Sequence, residues 1–132
     1  MNTPEELRYS TDHEWARPQE GAGDSDGAVR IGITDYAQDA LGDVVFVELP
    51  TVGQRVEAGG TFGEVESTKS VSDLFAPIAG VVAQINDALV DNPELINEDP
   101  YGDGWVCAIT ADNLEDVNAL MDAEGYRALT ED

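Results

Sequence analysis

Lysine is almost absent from this sequence, because Lys69 is the only one among 132 residues. The other basic residues are all arginines, whose guanidinium group stays protonated and is a poor nucleophile. A lysine amine, in contrast, can lose its proton and be acylated. The scarcity therefore indicates a task for Lys69 that arginine cannot perform, such as carrying a covalently attached group. From composition alone, an ordinary solvated lysine at a turn explains the same observation.

Cysteine and histidine are equally rare, with one residue of each type, Cys107 and His13. A single cysteine excludes an intramolecular disulfide, and this pair cannot supply the usual four ligands of a His/Cys zinc site. In an independent enzyme, His13 and Cys107 could in principle form a nucleophile pair. Cys107 lies in an apolar run, however, and we expect it to be a small buried side chain.

Basic residues are outnumbered by acidic ones, 6 against 28, which gives a formal net charge of -22. Nucleic acids and anionic membrane surfaces both attract basic surfaces, so this composition excludes both as partners. Repulsion between the acidic groups should destabilise the fold at low ionic strength and be screened by salt. On this charge and the preference for arginine over lysine, we hypothesise a halophilic source.

Long apolar runs are also missing, and none approaches the length of a membrane span. Residues 1–6 have neither the basic region and apolar core of a signal peptide nor the arginines of a transit peptide. We therefore expect a cytoplasmic protein. Its 132 residues, 42% of them hydrophobic, suffice for one core without a metal or a disulfide. We see no linker, and we expect a single domain over residues 1–132.

Short apolar runs separated by glycine, proline and asparagine predict a mainly β fold, either a sandwich or a barrel. Residues 28–33 alternate between apolar and polar side chains and predict a half-buried strand. Residues 44–49 are apolar on both faces, as in the core strand of a sandwich. Further strands are predicted at 13–17 with Trp15 turned inward, at 80–86 with Val81, Ala83 and Ile85 on one face, and at 55–56, 61–67, 71–76 and 105–110.

Two helical segments interrupt this pattern. In the first, Asp35 is predicted to cap the helix, with Gln38 three residues later as in a capping box and Gly42 ending it. In the second, Asp112 is predicted to cap a helix that Gly125 interrupts, with residues 126–129 resuming as a short helical turn. Its apolar stripe predicts packing on the core and comprises Leu114, Val117, Leu120 and Met121. We expect residues 112–130 to form a C-terminal helical extension packed on the β domain.

The segment Glu66-Ser67-Thr68-Lys69-Ser70, followed by Ser72-Asp73 and Ala76-Pro77, resembles the lipoyl-attachment segment of the glycine cleavage system H proteins. Other segments resemble the same family in the same order, at 13–15, 31–43, 45–50, 92–97 and 100–105. The resemblance extends from about residue 9 to about residue 129. It implies a barrel-sandwich hybrid of the lipoyl- and biotinyl-carrier type, with short helices and with Lys69 at the tip of a hairpin.

The turn itself departs from common patterns. It lacks the Asn-Gly or Asp-Gly pair of the usual two-residue hairpins, so its residues alone do not explain its geometry. Thr68 and Ser70 stand where valine and alanine are frequent in the family, and this difference bears on recognition by the attaching enzyme. Tyr36 stands where other members can have histidine, so no proton relay is expected there.

The resemblance implies that lipoate is joined to the Lys69 side-chain nitrogen through an amide and that the protein is a non-catalytic carrier. In the family's cycle, a pyridoxal-phosphate-dependent glycine decarboxylase loads the aminomethyl group of glycine onto the carrier. A tetrahydrofolate-dependent aminomethyltransferase then removes the one-carbon unit, and dihydrolipoyl dehydrogenase reoxidises the dithiol. A lipoate-attaching enzyme is a further implied partner.

Two acids, Glu14 and Asp73, match family positions that the resemblance places near the lipoyl arm. Carboxylates there can hold the amine of the cargo by charge-assisted hydrogen bonds, in a cleft that excludes water. The competing interpretation is that both are solvated acids among the 28 of the chain.

Three other carriers fit parts of the pattern. A biotin carrier usually has its lysine between methionines, whereas the only methionines here are Met1 and Met121. A lipoyl domain of a 2-oxoacid dehydrogenase typically has Asp-Lys-Ala at the tip of the hairpin. An H-like protein that relays lipoate to other enzymes uses the same lysine, so the sequence does not separate it from a glycine-cleavage carrier.

Overall fold

Two antiparallel sheets and several short helices make up the computed structural model, which describes residues 3–18, 28–113 and 115–130. The strands are β1 (Arg8–Tyr9), β2 (Glu14–Pro18), β3 (Ala28–Ile33), β4 (Val44–Glu48), β5 (Arg55–Val56), β6 (Thr61–Ser67), β7 (Val71–Phe75), β8 (Gly80–Ile85) and β9 (Cys107–Ala111). The helices are α1 (Asp35–Leu41), α2 (Ala88–Asp91), α3 (Leu95–Glu98), α4 (Glu115–Asn118) and α5 (Ala123–Thr130). The predicted mainly β fold with short helices, including one at the C-terminus, is confirmed.

The larger sheet has six strands in the order β1-β2-β3-β9-β8-β5, and the smaller has three in the order β4-β6-β7. The main core contains side chains from both sheets, among them Ile31 of β3, Val65 of β6 and Ile109 of β9, all fully buried. The predicted strands at 28–33, 55–56 and 61–67 have the observed bounds, and the other predicted strands begin and end within two residues of the observed ones. Alternation of side chains and turn residues in the sequence therefore located most strands correctly.

The prediction that β4 is buried on both faces is wrong. Val45 and Phe46 are 49% and 53% exposed, whereas Val44 and Val47 are buried. The pairing of β4 with β6 shifts register between Val44 and Phe46. Val45 and Phe46 are therefore exposed apolar residues of the smaller sheet, which composition alone does not distinguish from core residues.

The predicted shared face of Val81, Ala83 and Ile85 in β8 is also wrong. Val81 is 37% exposed, whereas its neighbour Val82 is 1% exposed and belongs to the core. The pairing of β8 with β9 shifts register between Val82 and Gln84. An extra residue at such a bulge disturbs the regular alternation of side chains, so the period of two fails here.

Helix α1 begins at Asp35, so its N-cap lies one residue earlier than predicted. The N-cap is Thr34, whose backbone is extended and whose Oγ1 accepts a hydrogen bond from the Ala37 N–H at 3.1 Å. Asp35 instead lies in the first turn and accepts a bond from Gln38 Nε2 at 2.7 Å. The predicted end is confirmed, because Gly42 follows the helix with φ of 83°.

The C-terminal segment forms two helices, and the predicted interruption at Gly125 is wrong. Gly125 lies within α5, and the break falls at Met121, whose backbone exchanges two hydrogen bonds with Tyr9 of β1. Asn113, and not Asp112, accepts a bond from the first N–H of α4, while Asp112 binds Arg55. Of the predicted stripe, Val117 is buried, Leu120 and Met121 are partly buried, and Leu114 lies outside the described residues.

A second, smaller core cluster joins the N-terminal strands to α5. Trp15 is fully buried, as predicted, and its Nε1 donates to the Pro100 carbonyl at 2.9 Å. Tyr126 of α5 stacks on Tyr9 with ring centroids 4.7 Å apart. This packing brings the Tyr126 hydroxyl of α5 to 2.7 Å from His13 Nδ1. Within the described residues, no helix is both long and apolar enough to cross a membrane.

Candidate functional site

Lys69 is exposed at the tip of the hairpin between β6 and β7, as the resemblance implied. The Ser67 hydroxyl shapes this turn, because it accepts hydrogen bonds from the backbone N–H groups of Lys69 at 3.2 Å and of Ser70 at 3.1 Å. Ser67 also donates its own N–H to the Ser70 carbonyl at 2.8 Å. Among the described non-glycine residues only His13 has a positive φ. The turn therefore needs no Asn-Gly pair, since a serine side chain supplies the local bonds.

A second contact anchors the hairpin tip to the end of α1. The Thr68 N–H donates to the Asp43 carbonyl at 3.0 Å. The Lys69 side chain lies against Gly42, where an added Cβ would be 3.1 Å from Lys69 Cε. The lysine is thus accessible while its aliphatic stem rests on a fixed backbone.

A cleft of about 320 Å³ lies beside this hairpin and includes Ser70 and Val71, which follow Lys69 in the chain. Its walls come from α1, β7 and the residues that precede and begin β2. The cleft has a largely apolar lining that includes Ile33, Leu41, Val65 and Leu74, and its polar residues include Asp12, His13, Glu14, Ser72 and Asp73. Glu14 and Asp73, predicted from two distant segments, are therefore brought to one cleft.

Glu14 is buried in this cleft with only 2% of its surface exposed, so it is not a solvated surface acid. Ser10 Oγ donates to Glu14 Oε1 at 2.9 Å, and the Phe75 N–H donates to Oε2 at 3.1 Å. Burial raises the pKa of Glu14 to about 8, and these two hydrogen bonds oppose the rise. At neutral pH the free protein therefore holds a protonated, neutral carboxyl group here.

Asp73 lines the same cleft but is exposed on β7. It is paired in register with Glu64 of β6, which is in turn paired with Glu48 of β4. Desolvation, followed by the charges of Glu48 and Asp73, raises the pKa of Glu64. The three acids form one row across the sheet, and Asp73 is the one that lines the cleft.

Two tyrosines, Tyr36 and Tyr126, surround His13, and the sequence did not indicate that these three residues meet. The His13 ring stacks on Tyr36 with centroids 4.7 Å apart, and its Nδ1 lies 2.7 Å from the Tyr126 hydroxyl. Burial lowers the pKa of His13, although the charge of Asp12 opposes this. Because 113 positions separate His13 from Tyr126, no local pattern could have paired them.

The nucleophile pair considered for an independent enzyme does not form. Cys107 is fully buried in β9 and does not line the cleft that contains His13. Burial raises the pKa of its thiol to about 12, so the reactive thiolate is scarce at neutral pH. Cys107 is a core side chain, as its apolar run predicted.

Comparisons with known proteins agree with this geometry. The family model for the glycine cleavage H-protein matches residues 7–132. The glycine cleavage system H protein of Anaeromyxobacter sp. (strain K) is 54% identical over 100% of this chain and 98% of that protein. The H protein of Mycobacterium tuberculosis (strain ATCC 25177 / H37Ra) is 55% identical over 97% of each chain.

A solved structure shows the same similarity. The crystal structure of a glycine cleavage system H protein from Mycobacterium marinum has a TM-score of 0.84 and 48% identity, covering 95% of this chain and 96% of that one. None of the comparisons supports the hypothesis of a halophilic source. The match over nearly the whole chain shows that this protein belongs to the glycine cleavage H-protein family, the non-catalytic lipoyl carriers of glycine cleavage.

Proposed function

We propose that Lys69 is the residue to which lipoate is attached in this chain. The observation that carries the proposal is the exposure of the only lysine at the tip of a fixed hairpin beside a cleft. We further propose that residues 1–132 act as one lipoyl-carrier domain, with residues 112–130 as a helical extension packed on it. The burial of Val117 and Tyr126 in the two core clusters supports this extension.

The cleft suits a lipoyl group in its chemistry. An accessible primary amine can form the amide, and apolar side chains such as Leu41, Val65 and Leu74 suit an aliphatic arm. When bound, the group supplies a disulfide that is reduced as the cargo is loaded and is later reoxidised. The protein's own residues then have two tasks, which are to bind the amine of the cargo and to exclude water from it.

Glu14 is the residue that we propose to bind this amine inside the cleft. A nearby cation favours the ionised form of a carboxyl group, so Glu14 would release its proton to solvent as the cationic amine enters. The resulting charge-assisted hydrogen bond forms in a buried place, where it is stronger than in water. Asp73, at the exposed side of the cleft, is proposed as the second contact and adds negative potential there.

The partners follow from the family. Glycine decarboxylase, the aminomethyltransferase and dihydrolipoyl dehydrogenase are the other components of the glycine cleavage system. A lipoate-attaching enzyme is a further proposed partner. A cytoplasmic location is proposed as well, for a chain that is similar to H proteins of bacteria such as Bacteroides fragilis.

The attachment site is tested by the intact mass of the protein after treatment with lipoate, ATP and a lipoate ligase. We expect the unmutated protein to gain one lipoyl group and Lys69→Arg to gain none, since arginine cannot form the amide. A gain in Lys69→Arg would contradict the proposal. So would the absence of a gain in the unmutated protein with a ligase that modifies a known acceptor.

The roles of Glu14 and Asp73 are tested by the half-life of the aminomethyl group on the loaded carrier. We expect Glu14→Gln to shorten the half-life several-fold and Asp73→Asn to shorten it less, because Asp73 is exposed. Asp91→Asn, at an exposed position of α2 that does not line the cleft, is the matched control. Equal half-lives for all four proteins would remove both assignments.

A further inference from the structure

The Tyr126 hydroxyl is a shared hydrogen-bonding centre behind the cleft. It lies 2.7 Å from His13 Nδ1 and 2.7 Å from Thr34 Oγ1. His13 lines the cleft, and Thr34 caps α1, whose residue Ala37 also lines it. The Tyr126 hydroxyl therefore contacts both His13, the residue before Glu14, and the cap of α1, the helix that forms another wall of the cleft.

Packing fixes the position of this hydroxyl. The Tyr126 ring is fully buried and stacks on Tyr9 with an interplanar angle of 10°. Burial raises the pKa of Tyr126 to about 12, so its phenol keeps its proton at neutral pH. The hydroxyl is thus a hydrogen-bond donor with little freedom to move away from His13.

His13 is held in a restricted conformation. Its φ of 68° lies in the left-handed region, which is uncommon for a residue other than glycine. Its backbone donates to the Ser10 carbonyl at 3.2 Å and accepts from the Thr34 N–H at 3.0 Å. Its ring lies between Tyr36 and Tyr126, stacked on the first and edge-on to the second. The backbone and the ring are therefore fixed by different neighbours.

The distances fit two directions of donation along this chain of bonds, because either hydroxyl can be the donor between Thr34 and Tyr126 and the role of Nδ1 depends on the tautomer. In one direction, which pairs the acidic phenol with the basic imidazole nitrogen, Thr34 Oγ1 accepts from the Ala37 N–H and donates its own proton to Tyr126. The Tyr126 hydroxyl then donates to His13 Nδ1. In this arrangement the neutral imidazole carries its proton on Nε2.

We propose that Tyr126 is a positioning residue of the cleft, which holds His13 as the neutral Nε2–H tautomer and couples it to the cap of α1. A neutral ring does not compete with a cationic amine for Glu14, the next residue in the chain. The backbone of His13, held by Ser10 and Thr34, also restricts where Glu14 begins β2. This inference rests on the proposed role of the cleft in binding the cargo amine.

The first test uses the protein without lipoate and measures the nitrogen-15 shifts of the imidazole. His13 is the only histidine of the chain, so its signals need no assignment. We expect the unmutated protein to show one tautomer with the proton on Nε2, and Tyr126→Phe to show a mixture of both tautomers. Tyr9→Phe is the matched control, because it removes a buried tyrosine's hydroxyl that binds Pro4 and not His13.

The second test measures the half-life of the aminomethyl group on the loaded carrier at equal folded fractions. We expect Tyr126→Phe to shorten it about fivefold, which corresponds to about 1 kcal/mol, and Tyr9→Phe to leave it unchanged. An unmutated protein with the proton on Nδ1 would overturn the inference, even if Tyr126→Phe failed to fold. Unchanged tautomer and half-life in Tyr126→Phe would overturn it too.

The two proposals fail in different ways. If the unmutated protein takes up lipoate on Lys69 and protects its cargo, yet Tyr126→Phe behaves like it in both tests, only the positioning role is wrong. If Lys69 is not modified, the proposed attachment site is wrong, and if Glu14→Gln leaves the half-life unchanged, the proposed role of Glu14 is wrong, whatever the tautomer of His13.

Discussion

The carboxyl group of Glu14 has its pKa raised by burial to about 8 from an ordinary value of 4.5. The folded state therefore binds this proton more tightly than the unfolded state. The contribution to the free energy of unfolding is fully present below about pH 4.5 and is lost as the pH rises through about 8. Glutamine imitates the protonated acid and does not titrate. We expect Glu14→Gln to remove a decline of a few kcal/mol between these pH values.

Urea unfolding at about pH 5 and about pH 9 measures this difference. Every other acid titrates in both proteins, so the comparison isolates Glu14. Asp91→Asn, which changes an exposed acid, should follow the unmutated protein in its pH dependence. Parallel stability curves for Glu14→Gln and the unmutated protein would show that Glu14 is already ionised in the folded state.

Among individual residues, the sequence indicated those that stand out by rarity or by a short motif, and it missed those whose role depends on contacts with distant parts of the chain. Lys69 stands out by its rarity, and Glu14 and Asp73 lie in short motifs of the family. Tyr126 has no such mark, because its partners His13 and Thr34 lie 113 and 92 positions away. The Ser67 side chain was visible in the motif, but its bonds to Lys69 and Ser70 depend on a turn that only the structure shows.

At the scale of elements, the hairpin tip depends on the glycine that ends α1. Gly42 has φ of 83° and ψ of -159°, a region essentially restricted to glycine. An added Cβ would also lie 3.1 Å from Lys69 Cε. We expect Gly42→Ala to destabilise the fold by about 1–3 kcal/mol and to slow lipoate attachment to the protein that remains folded.

Gly53→Ala is the matched variant, because Gly53 has φ of 92° but no heavy atom within 4 Å of an added Cβ. It should lose stability without a change in the attachment rate per folded molecule. Unfolding curves and the time course of the mass gain measure the two effects. Equal attachment rates for both variants would show that the contact with Lys69 has no influence on modification.

The elements also show where pattern reasoning stops. Alternation and punctuation located the strands, because strands of five to seven residues carry the period of two in their own sequence. They did not reveal the register shifts in β4 and β8, since a bulge depends on the partner strand. The break at Met121 was missed for the same reason, because its backbone pairs with β1 at the other end of the chain.

For the whole molecule, the net charge of -22 predicts a strong dependence of stability on salt. The ion pairs of the described residues lie at the surface, as between Arg127 and Glu5, and contribute little. Repulsion between acids should therefore dominate, and salt should raise the melting temperature by several degrees. Most of the rise should occur between about 0.01 and 0.15 M, where the Debye length falls from about 30 to 8 Å.

Thermal melts in sodium chloride measure this dependence of the melting temperature on salt, with sucrose of equal osmolarity as the uncharged control. A flat response below about 0.15 M, followed by a rise only at molar salt, would instead indicate ion exclusion from the surface.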